Sequence, residues 1–224
     1  MLDRKMKILV ACEESQAVTI ELRKLGHEAY SSDILPCTGG HPEWHLQGDV
    51  VPIIYDESKN WELMIAFPPC TYLTVTGNRW HNVEEYGTEA IQRNQKREEA
   101  IVFFMKMVLA PIPKIAIENP IGIMSTVYKE PDQKIQPYYF GEPFQKATCL
   151  WLKDLDLLER TNTVSQGEFT TWITKSGKKK RMPKWYNDAR GSDGSSKRSK
   201  TFPGIAKAMA EQWTKPRKQL TLKL

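Results

Sequence analysis

The chain contains no C-x-x-C pair, and its four cysteines, Cys12, Cys37, Cys70 and Cys149, lie far apart. That spacing argues against a disulfide scaffold and against a zinc ribbon, so any cysteine with a function works as a free thiol. No apolar run approaches the roughly 20 residues that span a bilayer; Ile101–Met105 is among the longest. No membrane span is expected. A secretory signal is not expected either, because the basic start MLDRKMKILVACEES meets Glu13 and Glu14 after a very short apolar run. The expected location is cytoplasmic. There is no internal repeat, and 224 residues fit one domain with a small appendage better than two domains. With 40% hydrophobic residues, 26% charged residues and seven Trp, the composition is globular and excludes the disordered, collagen-like and coiled-coil classes.

What is present is unevenly charged. Residues 175–200 carry ten basic against two acidic groups, and residues 201–224 carry five against one. Within a total of +5, residues 1–174 therefore hold a net −7. An acidic body with a basic C-terminal part points to a polyanion as partner of that part, nucleic acid above all. A solvated basic loop with no partner is the plainer alternative.

Along the chain, Met6–Ala11 reads as a strand and Ser15–Gly26 as a helix, through Val18, Leu22 and Leu25 at helical spacing. His27–Ile34 reads as a second strand, completing a βαβ unit. Trp61–Phe67 is a buried-type strand that stops at Pro68 and Pro69; residues 87–110 form a long amphipathic helix with Ile91, Phe104 and Val108 on its apolar side. Lys114–Ile117 is another buried strand, ending at Glu118-Asn119-Pro120. Residues 159–200 read as loops or a small hairpin, and Thr201–Thr214 recovers helical rhythm. This alternation predicts an α/β fold built on a doubly wound, mostly parallel sheet.

In such sheets ligands bind at the carboxyl ends of the strands. Those ends carry Glu13, Glu14 and Ser15, then Asp33, then Asp49, then Pro68-Pro69-Cys70, then Glu118-Asn119-Pro120. A cysteine in a Pro-rich turn at a sheet mouth can be held rigid and accessible, as a nucleophile requires. By itself, an inert turn cysteine fits equally well. Cys37, His41 and His45 have a spacing at which a helix could share a metal, but Gly39, Gly40 and Pro42 oppose a helix and no fourth ligand is near. No metal is expected.

FPPCTYLT and the later IENP resemble the Pro-Cys and Glu-Asn-Val signatures of the DNA cytosine-5 methyltransferases. VACEES, SSDILP, HLQGDV, YYFGEPFQKATCLWL and SKTFPGIAKAMAEQW extend the resemblance over nearly the whole chain, toward the short phage-type members of that family.

The resemblance implies the doubly wound fold of S-adenosylmethionine-dependent methyltransferases and transfer of a methyl group to cytosine carbon 5 in DNA. Cys70 would add to carbon 6 of a flipped cytosine, Glu118 would act as acid at ring nitrogen 3, and Asn119 would help fix the turn carrying it. S-adenosylmethionine would be held by Asp33, Asp49 and Pro68, with Glu13 and Ser15 in the first loop. That loop, ACEESQ, has no glycine, and Glu13 and Ser15 occupy positions where the family has glycines. DNA contacts are assigned to Arg79, Lys146, Thr148, Lys178, Lys179, Lys180, Arg181 and Arg198. Gln145-Lys146-Ala147-Thr148 stands where the family has Gln-x-Arg-x-Arg. Arg79 and Trp80 would close over substrate, while Trp185 and Tyr186 either stack on bases or anchor their loop. The division expected is a catalytic core in 1–158, a short basic recognition insert in 159–200, and a last helix with a basic tail in 201–224. Two alternatives stay open: a related pyrimidine-modifying transferase with another donor or nucleic acid, and a DNA-binding protein that has lost catalysis.

Overall fold

The computed structural model describes residues 4–188 and 200–215. Arg198, and the basic tail beyond residue 215, lie outside the described residues.

Lys7–Ala11 (β1) is buried almost throughout, as a strand covered on both faces must be. Ala17–Lys24 (α1) leads into Glu28–Asp33 (β2), parallel to β1. His45–Gln47 (β3) adds to β2, and Val50–Tyr55 (α2) follows. Leu63–Ala66 (β4) is wholly buried and pairs parallel to β1 on the side away from β2. Val83–Val108 (α3) is broken near its start by Gly87, whose φ of 52° and ψ of −127° are not helical. Lys114–Pro120 (β5) pairs parallel to β4. After the single turn Met124–Val127 (α4) come Gln133–Ile135 (β6) and Thr148–Lys153 (β7), both missed by sequence periodicity. β7 runs antiparallel to β5, and β6 antiparallel to β7. The sheet order is β3-β2-β1-β4-β5-β7-β6, an α/β arrangement with five parallel strands and an antiparallel edge.

Successive residues of each strand feed opposite cores. Ile8, Val10, Leu63 and Ile65 pack with Val18 and Leu22 of α1, whereas Leu9, Ala11, Met64 and Ala66 pack with α2 and α3. The final helix, Pro203–Trp213, returns to the α1 side through Ile205, Met209 and Trp213. Ile91, expected on the apolar side of α3, is 56% exposed. This half of α3 overhangs the sheet and packs on loops rather than strands.

Phe169–Ile173 (β8) and Lys179–Pro183 (β9) form a separate two-stranded ribbon, followed by Lys184–Asp188 (α5); the final helix is thus α6. The ribbon turns at Thr174–Gly177, where Gly177 N–H donates to Thr174 O and Gly177 takes a φ of 76°. No helix among the described residues is long and apolar enough to cross a membrane.

Candidate active site

The chain leaves β1 for one side of the sheet and β4 for the other, so a crevice opens at their carboxyl ends. A cleft of about 750 Å³ lies there, lined among others by Cys12, Asp33, Asp49, Pro69, Tyr72 and Phe103. That volume suits a small-molecule site. Asp33 accepts from Leu35 N–H at 2.9 Å, and Asp49 caps α2 by accepting from Val51 N–H at 2.9 Å. Each aspartate thus stays fixed at the cleft wall by one of its oxygens. Burial, reinforced by the charges of Asp33 and Asp49, pushes the Cys12 thiol up to about 12, so it is a neutral lining group.

The first loop solves its lack of glycine in an unexpected way. Its left-handed residues are Cys12, at a φ of 59°, and Gln16, at 57°, not Glu13 or Ser15. Gln16 is fully buried and bonds to the backbone of His41 at both ends of its amide, while Gly39 closes so tightly that a Cβ there would sit 2.6 Å from Gln16 Cβ. The side chains of the His-rich loop are used within it: His41 stacks on Trp44, and His45 bridges Ser31 Oγ and Leu35 O.

Three residues expected at the cofactor lie away from the cleft lining or are turned from it. Glu13 is buried with its carboxylate turned to the start of α1, accepting from Val18 N–H at 2.7 Å, Thr19 N–H at 3.3 Å and Thr19 Oγ1 at 2.7 Å. It supplies the cap that Gln16 does not. Pro68 is buried as well, and Pro69 takes its place at the cleft. Ser15 is not among the cleft-lining residues; its hydroxyl lies 3.5 Å from Ala17 N–H.

Cys70 leaves β4 three residues after the Phe67 position, next to the Glu118 position of β5. The two exits are stitched together. Asn119 Nδ2 donates to Pro68 O at 2.8 Å, Ile123 N–H to Leu73 O at 2.8 Å, and Val75 N–H to Ile121 O at 3.2 Å. From the other side α3 grips the same loop: Arg97 Nε donates to Tyr72 O at 2.9 Å, and Arg93 Nη2 to Thr71 O at 3.4 Å. Sequence reading missed both arginines, because nothing in a helical periodicity says which loop its polar side holds.

Cys70 opens into a cleft of about 500 Å³ shared with Thr74, Pro120, Lys146, Met182 and Tyr186. Glu118 is enclosed behind it, bordering a void of about 20 Å³ together with Lys146 and Phe202. Lys146 borders both spaces. Burial raises the pKa of Glu118 against the opposing pull of Lys146 and of Thr148, whose Oγ1 donates to Glu118 Oε1 at 2.8 Å. Burial likewise raises the Cys70 thiol, aided by Glu118 and opposed by Lys146. The Lys146 ammonium thus opposes the effect of burial on both groups. Thr148, expected to touch DNA, is instead a buried partner of Glu118, because β7 lies inside the sheet.

The remaining residues expected at DNA are spread over two surfaces. Arg79 lies on Trp80, 4.3 Å from its ring centroid, beside a groove of about 530 Å³ that also holds Tyr86, Arg93 and Lys96. Lys178, Lys179, Lys180 and Arg181 are exposed on the ribbon and its turn. Trp185 anchors the insert: Nε1 donates to Gln145 O at 3.2 Å and the ring packs on Phe144 and Phe202.

No protein-family model and no curated protein sequence matches the chain. Among solved structures, it is similar to a prophage-encoded E. coli protein described as a DNA modification methyltransferase, at 16% identity and a TM-score of 0.45. The match covers 72% of this chain and 52% of that one, so the chain spans about half the length of that protein.

Proposed function

We propose that the chain is a DNA cytosine-5 methyltransferase with the doubly wound fold of S-adenosylmethionine-dependent methyltransferases. One observation carries the reading: a cysteine and a buried carboxylic acid leave adjacent parallel strands at one sheet edge, tied by Asn119, beside a cleft walled by two aspartates. Carboxylates at strand ends suit ribose hydroxyls and an adenine amino group, and Tyr72 and Phe103 suit the flat faces of a base. Asp33 and Asp49 are the residues that would hold S-adenosylmethionine. Bound there, it supplies an electrophilic methyl group.

The chain's own residues do the rest. Cys70, as thiolate, adds to carbon 6 of a cytosine drawn out of the duplex, making carbon 5 nucleophilic. Its raised pKa means the thiol must lose a proton as substrate enters, and Lys146 is the adjacent cation that favours the thiolate. Glu118, whose pKa burial raises, donates to ring nitrogen 3 and offsets the charge that addition places on the ring. Lys146 lines both the Cys70 cleft and the void beside Glu118, which puts a cation where the phosphate next to an extruded base would come. Once carbon 5 carries the methyl group, loss of the carbon 5 proton to water expels Cys70 as a thiolate and returns the nitrogen 3 proton to Glu118. On this reading residues 1–158 are the catalytic core, 159–200 the recognition insert and 201–224 the returning helix and tail, and the protein acts in the cytoplasm, that of a bacterial host if it is phage-encoded. The packing of Gln16 against Gly39 favours one second reading, a related transferase with a different donor.

Incubation with labelled S-adenosylmethionine and DNA containing 5-fluorocytosine tests the proposal. A stable, labelled protein–DNA adduct is expected, and Cys70→Ala abolishes it. Equal label transfer by Cys70→Ala sinks the covalent mechanism; an adduct without label points to another donor.

A further inference from the structure

The ribbon β8–β9 has two chemically different faces. Directly opposed residues share a face, and the pairs are Trp172↔Lys180 and Thr170↔Met182 on one, Ile173↔Lys179 and Thr171↔Arg181 on the other. Met182 lines the Cys70 cleft from within the first face, whereas Pro183, opposite Phe169 on the second, lines it only from the strand's end. The face bearing Trp172 and Lys180 is therefore the outward continuation of the cleft wall. On the opposite face Arg181 is already engaged, lying 4.7 Å from the Phe169 ring centroid.

Trp172 is the odd tryptophan. The other six each have a hydrogen bond or a ring partner. Among the described residues Trp172 has neither, and it remains 41% exposed on a strand with no core beneath it. An indole left this exposed on a two-stranded ribbon keeps an aromatic surface available to whatever the ribbon touches.

We propose that this ribbon enters a groove of duplex DNA with its Met182 face inward, Trp172 contacting base edges and Lys180 a flanking phosphate. The inference rests on the DNA substrate proposed above. A two-stranded ribbon fits the major groove, and five-residue strands give it a reach of about 16 Å. Trp172 and Lys180 lie two residues beyond Met182, roughly 7 Å along the ribbon or about two base-pair steps from the cleft. Sequence preference then resides close to the target base. The surrounding basic run supplies the charge complementarity.

The test measures binding of the full chain to a labelled random-sequence DNA duplex across a salt series, with S-adenosylhomocysteine binding as the check on folding. Trp172→Ala should weaken DNA binding roughly tenfold, with Trp172→Phe recovering most of it. Lys180→Ala should lower the slope of log affinity against log salt by about 0.9, while Lys179→Ala leaves it unchanged. Among methylated products, Trp172→Ala should relax sequence context within about two base pairs of the modified base. If the wild-type chain binds the duplex but Trp172→Ala and Lys180→Ala bind like it, the ribbon assignment is overturned and the DNA substrate stands. Equal effects of Lys179→Ala and Lys180→Ala overturn the face assignment. A wild-type chain that shows no salt-dependent DNA binding overturns both readings.

Discussion

Glu13→Gln separates the cap of α1 from its charge. In the folded chain, burial raises the Glu13 carboxyl from 4.5 to about 7, against the lowering effect of its bonds from Val18 and Thr19. Below about pH 4.5 the group is protonated in both folded and unfolded states, and its burial carries no charge penalty. As pH rises toward and through 7, the unfolded chain ionises freely while the native chain must either hold the proton or bury a charge. Stability is lost over that window. At about 1.4 kcal/mol for each pH unit, the loss amounts to about 3 kcal/mol by pH 8.5 or so. Glutamine keeps an acceptor for α1 but loses part of the hydrogen bonding, at a cost of about 1 kcal/mol that does not depend on pH. Wild type should therefore be the more stable form in acid and the variant the more stable one in mild alkali. Urea unfolding of both proteins at several pH values, followed by tryptophan fluorescence, gives the difference directly and cancels every other titrating group. A difference that stays flat from pH 5 to about 8.5 would refute the assignment of Glu13 as a buried, largely neutral cap.

Two further outcomes are expected. Asp33→Asn and Asp49→Asn should each weaken S-adenosylhomocysteine binding about tenfold or more in calorimetric titration, since each removes a charge-assisted acceptor, while the asparagine in place of Asp49 still caps α2; unchanged affinities would remove that cleft from consideration. Asn119→Ala leaves Pro68 O unpaired in the interior, so it should cost about 1–3 kcal/mol of stability and speed alkylation of Cys70 by loosening its loop, whereas a labelling rate equal to wild type would show that the loop is held without it.

The α/β layering was readable because β1, β4 and β5 are uninterrupted apolar runs and α1 keeps helical spacing. The edge strands β6 and β7 were not. TCLWLK could equally be strand or buried helix, and its place beside β5 depends on a return of the chain that no local pattern encodes. Residue type located the strand ends, and with them Cys70, Asp33, Asp49 and Glu118. It could not give side-chain direction: Glu13 and Thr148 are polar residues beside a cleft, yet both point inward, Glu13 to the start of its own helix and Thr148 to Glu118 on the neighbouring strand. The ribbon's lysines looked equivalent as a run, and only strand pairing separates Lys180 from Lys179.

Helix α6 covers α1, the first helix made, and it does so from the far end of the described chain. A nascent polypeptide extended only to residue 188 already contains every strand of the sheet, yet Val18 and Leu22 would still face water where Met209 and Trp213 belong. Consolidation of that layer is thereby postponed until Pro203–Trp213 has been made. A ribosome stalled just after residue 188 would display a sticky, unfinished sheet for chaperones or proteases to seize.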